Sequence, residues 1–185
     1  MLPTSVPVAG DWNGSGTDRS GAFDPATNTW TLKIGNADTS FRVSNITTSV
    51  TPLAGDFNGD GRDEVALWSP SETKLSIKRS FLTGPAEQEF VLPGLANPAS
   101  LKVVAGDFNS SPGDEIGLID EALGRMTLFS TATNQLTAID GVFRPATTVV
   151  GVAGSNEVFA YDHWLSGDWN ADGKTDWDKY LLHYD

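Results

Sequence analysis

Apolar and polar residues alternate in short runs along the first 140 positions of this chain. Thr29-Trp30-Thr31-Leu32-Lys33-Ile34 and Lys74-Leu75-Ser76-Ile77-Lys78 show it most clearly. Successive side chains leave a strand on opposite faces, so a period of two predicts a half-buried strand. Read in this way, the pattern predicts three groups of four strands. The first group covers 5–12, 19–24, 29–34 and 41–43, and the second 50–57, 64–68, 74–78 and 89–92. The third covers 101–108, 115–119, 125–129 and 135–139. Turn formers such as Pro25-Ala26-Thr27-Asn28 and Ser69-Pro70-Ser71 separate the runs. No amphipathic helix is predicted before residue 160.

The first strand of each group runs into the same phrase. It reads Ala9-Gly10-Asp11-Trp12-Asn13, then Ala54-Gly55-Asp56-Phe57-Asn58, then Ala105-Gly106-Asp107-Phe108-Asn109, and a fourth time Ser166-Gly167-Asp168-Trp169-Asn170. From Asp to Asp the steps are 45, 51 and 61 residues. The first two suit a four-stranded propeller blade of roughly 40–50 residues, and the third is too long. The expectation is one all-β domain over residues 1–185, a β-propeller or propeller fragment of about four repeats near 5–48, 49–98, 99–142 and 143–185.

The last repeat loses phase. Thr147 to Gly154 resembles the start of a unit, but Ser155-Asn156 stands where the acidic loop belongs. Either a long hairpin over 143–162 is inserted, or a degenerate unit begins near Thr147 and the last phrase opens a truncated fifth. Trp177, Tyr180, Leu181 and Tyr184 have helical spacing, although the same stretch also reads as a terminal strand.

Composition narrows the function. The net charge is −12 with only 12 scattered Lys and Arg, which excludes a nucleic-acid partner, since phosphates must be neutralised. No apolar run approaches the ~18 residues of a membrane span, so no membrane insertion is expected. There is no cysteine, so neither disulfides nor thiolate metal sites brace the fold. No signal peptide follows Met1. The chain is expected to belong to a larger exported protein whose targeting segment lies elsewhere.

Much of the acidity sits in the repeated loops. In the second copy, Asp56, Asn58, Asp60 and Glu64 place oxygen side chains at loop positions 1, 3, 5 and 9, with Gly61 at position 6. Calcium takes six to eight oxygens at about 2.3–2.6 Å, and the Arg62 carbonyl at position 7 completes a set of that kind. Asp63 points away in such a geometry, though it is an alternative to Glu64. The fourth copy is as good, with Asp168, Asn170, Asp172, the Lys174 carbonyl and Asp176. The third keeps Asp107, Asn109 and Glu115 but has Ser111 at position 5 and Pro112 at position 6. The first keeps Asp11, Asn13 and Ser15, but Arg19 at position 9 would repel a cation, leaving Asp18 to replace it. The plain alternative is a hairpin turn, for which Asp-Gly and Asn-Gly are common.

The stretch Asp56-Phe57-Asn58-Gly59-Asp60-Gly61 followed by Glu64-Val65-Ala66-Leu67 resembles the FG-GAP/VCBS repeat of calcium-bearing β-propellers, found in integrin α subunits and bacterial extracellular proteins. Gly10-Asp11-Trp12-Asn13-Gly14, with Phe23 to Thr27 and Thr29 to Leu32, is similar to the bacterial surface version. The resemblance covers about 5–139 and 164–178 and implies Ca²⁺ as the bound ion. It implies an extracellular or cell-surface module for adhesion or scaffolding, with a protein or glycan partner at the cell surface and no catalysis of its own. Asp168 to Tyr184 is also similar to half of a dockerin or EF-hand, although Lys179 stands where that loop wants Glu.

The other candidate residues add little chemistry. His163 and His183 read as surface or turn residues, and no nucleophile elbow, zinc-protease or phosphate-loop motif is present. Trp12, Phe57, Phe108 and Trp169 share loop position 2 and are expected to pack between blades. Stacking on sugars is the alternative for them, and it would suit a carbohydrate-binding accessory domain of a secreted enzyme. Asn45-Ile46-Thr47 is a formal glycosylation sequon.

Overall fold

The computed structural model describes residues 5–109, 112–139, 160–167 and 176–182, the last two stretches as backbone. The first four strands are β1 (Val6–Gly10), β2 (Arg19–Asp24), β3 (Thr29–Ile34) and β4 (Ala37–Arg42). The next four are β5 (Thr51–Gly55), β6 (Glu64–Ser69), β7 (Lys74–Lys78) and β8 (Gln88–Val91). A single 3-10 turn, Pro98–Ser100, leads to β9 (Lys102–Gly106), β10 (Glu115–Asp120), β11 (Arg125–Ser130) and β12 (Gln135–Ile139). Each group of four is one antiparallel meander, and β13 (Ala160–Gly167) pairs with β14 (Asp176–Leu182) in a two-stranded sheet.

The chain is therefore all-β, and the alternation is its cause. β4 starts at Ala37 rather than at the expected Phe41. Gly35, at φ +60°, closes a tight hairpin directly after β3, so pairing begins with Ile34 opposite Ala37. The helical spacing after Asp176 is overridden as well, because β14 is a strand. An acidic phrase followed by a strand is not the loop–helix plan of a dockerin.

One register recurs in every sheet. Gly10 pairs with Arg19, Gly55 with Glu64, Gly106 with Glu115 and Gly167 with Asp176. The acidic phrase is thus always the connection between the first two strands of a sheet. The first strands also adjoin one another, β1 against β5, β5 against β9 and β9 against β13.

The sheets stack face to face. Val65 and Leu67 of β6 join Phe23, Trp30, Leu32 and Phe41 of the first sheet in one core cluster. Ala66 and Trp68, on the opposite face of the same strand, join Ile116, Leu118 and Phe129 of the third sheet in another. β6 is buried on both faces, and all six of its residues are covered. Trp12 and Phe57, at loop position 2, are each 1% exposed and sit in these two clusters. Burying such a side chain contributes about 1.5–3 kcal/mol.

The first sheet has a different outer face. Where β6 carries Val65 and Leu67, and β10 carries Ile116 and Leu118, β2 carries Ser20 and Ala22. Thr31 donates to or accepts from Ser40 across that outer face at 3.0 Å, and Lys33 pairs with Asp38 at 3.2 Å. Among the described residues this face is polar and exposed.

A crossover loop from Arg79 to Glu87 ties the first two sheets together. Phe81 stacks on Phe41 at 5.5 Å and meets Trp12 edge-on at 6.3 Å. Gly84 bridges Val43 at the edge of the first sheet. Asn45, the sequon residue, donates to Glu89 at 2.6 Å and accepts from the Ala86 amide at 3.2 Å. Its side chain works as a tie between sheets.

Candidate metal centre

The loop between β5 and β6 folds around one carboxylate. Asp56 Oδ1 accepts from the amides of Gly59 (2.8 Å) and Asp60 (3.0 Å), and Oδ2 accepts from Gly61 (2.8 Å). That wrap needs positive φ at Gly59 (+75°) and Gly61 (+82°), where a side chain would be strained. The bend swings Asp60 back toward Asp56, and the first residue of β6, Glu64, rises beneath them. One oxygen from each of Asp56, Asp60 and Glu64 lies within 4.8 Å of the others. Among the described residues this is the one such acidic cluster.

Glu64 is the informative member. It is fully buried, and its Oε1 accepts from the Asn58 side-chain Nδ2 at 2.5 Å, whereas its Oε2 has no hydrogen-bond partner. Burial pushes its pKa up to about 7, and the charges of Asp60 and Asp56 add to the rise, with Arg79 and the nearby Phe57 amide opposing it. A buried carboxylate oxygen without a donor is costly. The three clustered carboxylates offer only oxygen, which is the chemistry a hard divalent cation takes. The residues therefore fit a calcium-like ion, which would give Glu64 Oε2 its missing partner. The Arg62 side chain is engaged elsewhere, donating to the Arg79 carbonyl at 3.2 Å and lying 5.4 Å over the Phe81 ring. Its amide donates to Asp60 at 3.0 Å.

The other loops differ. In the first, Asp11 repeats the wrap, accepting from the amides of Ser15 (2.9 Å) and Gly16 (2.6 Å) and from the Ser15 hydroxyl (3.3 Å). The Ser15 amide is the main reason its carboxyl sits below the usual range. Asn13 and Arg19 are exposed there, and the Arg19 carbonyl accepts from the Trp12 indole at 3.1 Å. In the third loop the Asn109 amide donates to Asp107 at 3.3 Å, and the buried Glu115 accepts from the Phe108 amide at 3.1 Å. Ser111 lies outside the described residues, as do Asp168, Asn170, Asp172 and Lys174, while Asp176 opens β14 opposite Gly167.

Sequence reading missed the role of position 8. Asp63 accepts from the Asp11 amide at 2.8 Å, and Asp114 accepts from the Asp56 amide at 2.9 Å. Each reaches back to the preceding loop. The signal was available: position 8 is Asp in the first three copies, as Asp18, Asp63 and Asp114, whereas position 9 changes from Arg19 to Glu64 and Glu115. The paired glycine belongs to the same device. A Cβ on Gly10 would lie 2.7 Å from Asp63 Oδ2, and one on Gly55 would lie 2.6 Å from Asp114 Oδ2.

No protein-family model matches the chain, and no curated protein matches it. Among solved structures, the chain is similar to crystal structures of BBS1N in complex with ARL6DN, soaked with lead or with mercury. Both show 14% identity and a TM-score of 0.44. The matches cover 97% and 99% of this chain but 55% and 57% of those chains. The chain thus spans just over half the length of either.

Proposed function

We propose that this chain is a calcium-stabilised binding or scaffolding module of β-propeller type, from an extracellular or cell-surface protein, with no catalysis of its own. The observation that carries the reading is the buried Glu64, whose Oε2 has no hydrogen-bond partner and whose carboxylate places one oxygen within 4.8 Å of one from each of Asp56 and Asp60. Asp56, Asn58, Asp60 and Glu64 would hold the ion, and the ion supplies positive charge that lets three carboxylates share one loop. Stacked four-stranded meanders with adjoining first strands support the propeller reading.

The function that follows is presentation of a surface. A loop fixed by an ion loses little entropy when a partner docks beside it. The partner would be a protein or a glycan at the cell surface. Trp12 and Phe57 are buried between sheets, so sugar stacking falls to other residues.

A calcium site with a dissociation constant of ~0.1 mM at ~1 mM ion stabilises by about 1.4 kcal/mol. That is a sizeable part of a total of ~5–15 kcal/mol. Thermal melting in 1 mM CaCl₂ and in EGTA tests the reading. A higher melting temperature in calcium, lost in Glu64→Gln, is expected. Identical melting curves would remove its basis.

A further inference from the structure

The cation loop of the second sheet is gripped from the third. Asp114 Oδ2 accepts from the Asp56 amide at 2.9 Å, and the Asp114 amide donates to the Asp56 carbonyl at 2.7 Å. The Thr131 hydroxyl, just beyond β11, donates to the Phe57 carbonyl at 2.5 Å. Three backbone groups of Asp56 and Phe57 therefore end on residues 58 to 74 positions later in the chain. Gly59 and Gly113 meet so closely that a Cβ on either would lie 3.1 Å from the amide nitrogen of the other.

The Asp56 side chain is the hub of the loop. It accepts from three amides and also supplies a cluster oxygen. Its direction follows from its backbone, and that backbone is set by Asp114 and Thr131. We propose that Asp114 is a positioning residue for the cation site, so that the third sheet governs the affinity of a loop to which it contributes no ligand. The inference rests on the calcium reading of that loop. Partners that orient ligands from behind typically change metal affinity 10–100-fold. The same clamp joins Asp63 to Asp11, where Arg19 stands in place of a position-9 carboxylate, so the grip does not depend on the cation ligands themselves.

The test is calorimetric titration of CaCl₂ into the full chain, well below its melting temperature. Glu64→Gln identifies the binding step that belongs to this loop. On that step, Asp114→Ala is expected to weaken affinity about tenfold. Asp114→Asn keeps the acceptor oxygen and loses the charge, and it is expected to stay within about twofold of wild type. Thr131→Val is expected to weaken affinity in the same direction, and it serves as the probe if Asp114→Ala does not fold. If Glu64→Gln removes a binding step but Asp114→Ala, or Thr131→Val in its place, leaves that step unchanged, the positioning role is wrong. If wild type takes up no calcium, the calcium reading itself fails, and the inference with it.

Discussion

Asp63 and Asp11 are joined twice. The Asp11 amide donates to Asp63 Oδ2 at 2.8 Å, and the Asp63 amide donates to the Asp11 carbonyl at 3.0 Å. Asp114 and Asp56 repeat the pair one sheet further on. One residue type at one loop position thus fastens the second sheet to the first and the third to the second. Gly10 and Gly55 leave the space through which the carboxylate passes.

Gly55→Ala tests the space directly. The new methyl would stand 2.6 Å from Asp114 Oδ2 and 3.2 Å from the Phe57 ring. Overpacking of this kind costs about 1–3 kcal/mol, to be read by chemical denaturation. In an Asp114→Ala background the added cost should shrink, because the obstructed group is gone.

Phe57→Ala and Trp12→Ala should each cost about 3–5 kcal/mol, since both rings are buried between sheets. Phe108 fills the same loop position but is only half-buried. Its replacement by Ala should cost clearly less under the same denaturant series.

The pKa of about 7 at Glu64 sets a pH dependence. A carboxyl raised on folding binds its proton more tightly in the native state. Its stabilising contribution is complete below about 4.5 and is lost as pH rises through about 7, so without calcium the stability should fall across that window. Calcium requires the ionised form, so binding near pH 6 should release protons, and release should fade by about pH 8. Calorimetry in buffers of different ionisation heat counts them. Glu64→Gln should flatten the EGTA stability profile, leaving the slope from Asp114, which burial pushes up to about 6, and from Asp63, which burial also raises.

Lys78 is buried, donating to Glu87 at 2.7 Å, to the Pro85 carbonyl at 3.0 Å and to Ser80 at 3.1 Å. These bonds hold the crossover loop that carries Phe81. Burial raises the Glu87 carboxyl, but Lys78, Ser80 and the Arg79 amide outweigh it and leave it below its ordinary value. Lys78→Ala should cost about 2 kcal/mol and speed proteolysis within 79–87.

The strands were legible because alternation dictates them. Trp30 and Leu32 face inward and Thr31 faces out, as a period of two requires. The meeting of Asp56, Asp60 and Glu64 was legible because their spacing is local. What joins the sheets was not, because contacts between units have no fixed sequence separation. The reach of Asp114 to Asp56 spans 58 residues and that of Asp63 to Asp11 spans 52. The crossover loop carries no strand pattern, so Phe81 gave no sign that it packs on Phe41 and Trp12. The polar outer face of the first sheet was visible as Ser20 and Ala22. Its contrast with the apolar faces of β6 and β10 appears only when the three strands are set side by side.

A crystal grown in calcium tests the central claim most directly. The account predicts a density peak among Asp56, Asp60 and Glu64, with oxygens at about 2.3–2.6 Å and Glu64 Oε2 among them. Featureless density at that point, with Glu64 turned to a protein donor, would contradict it.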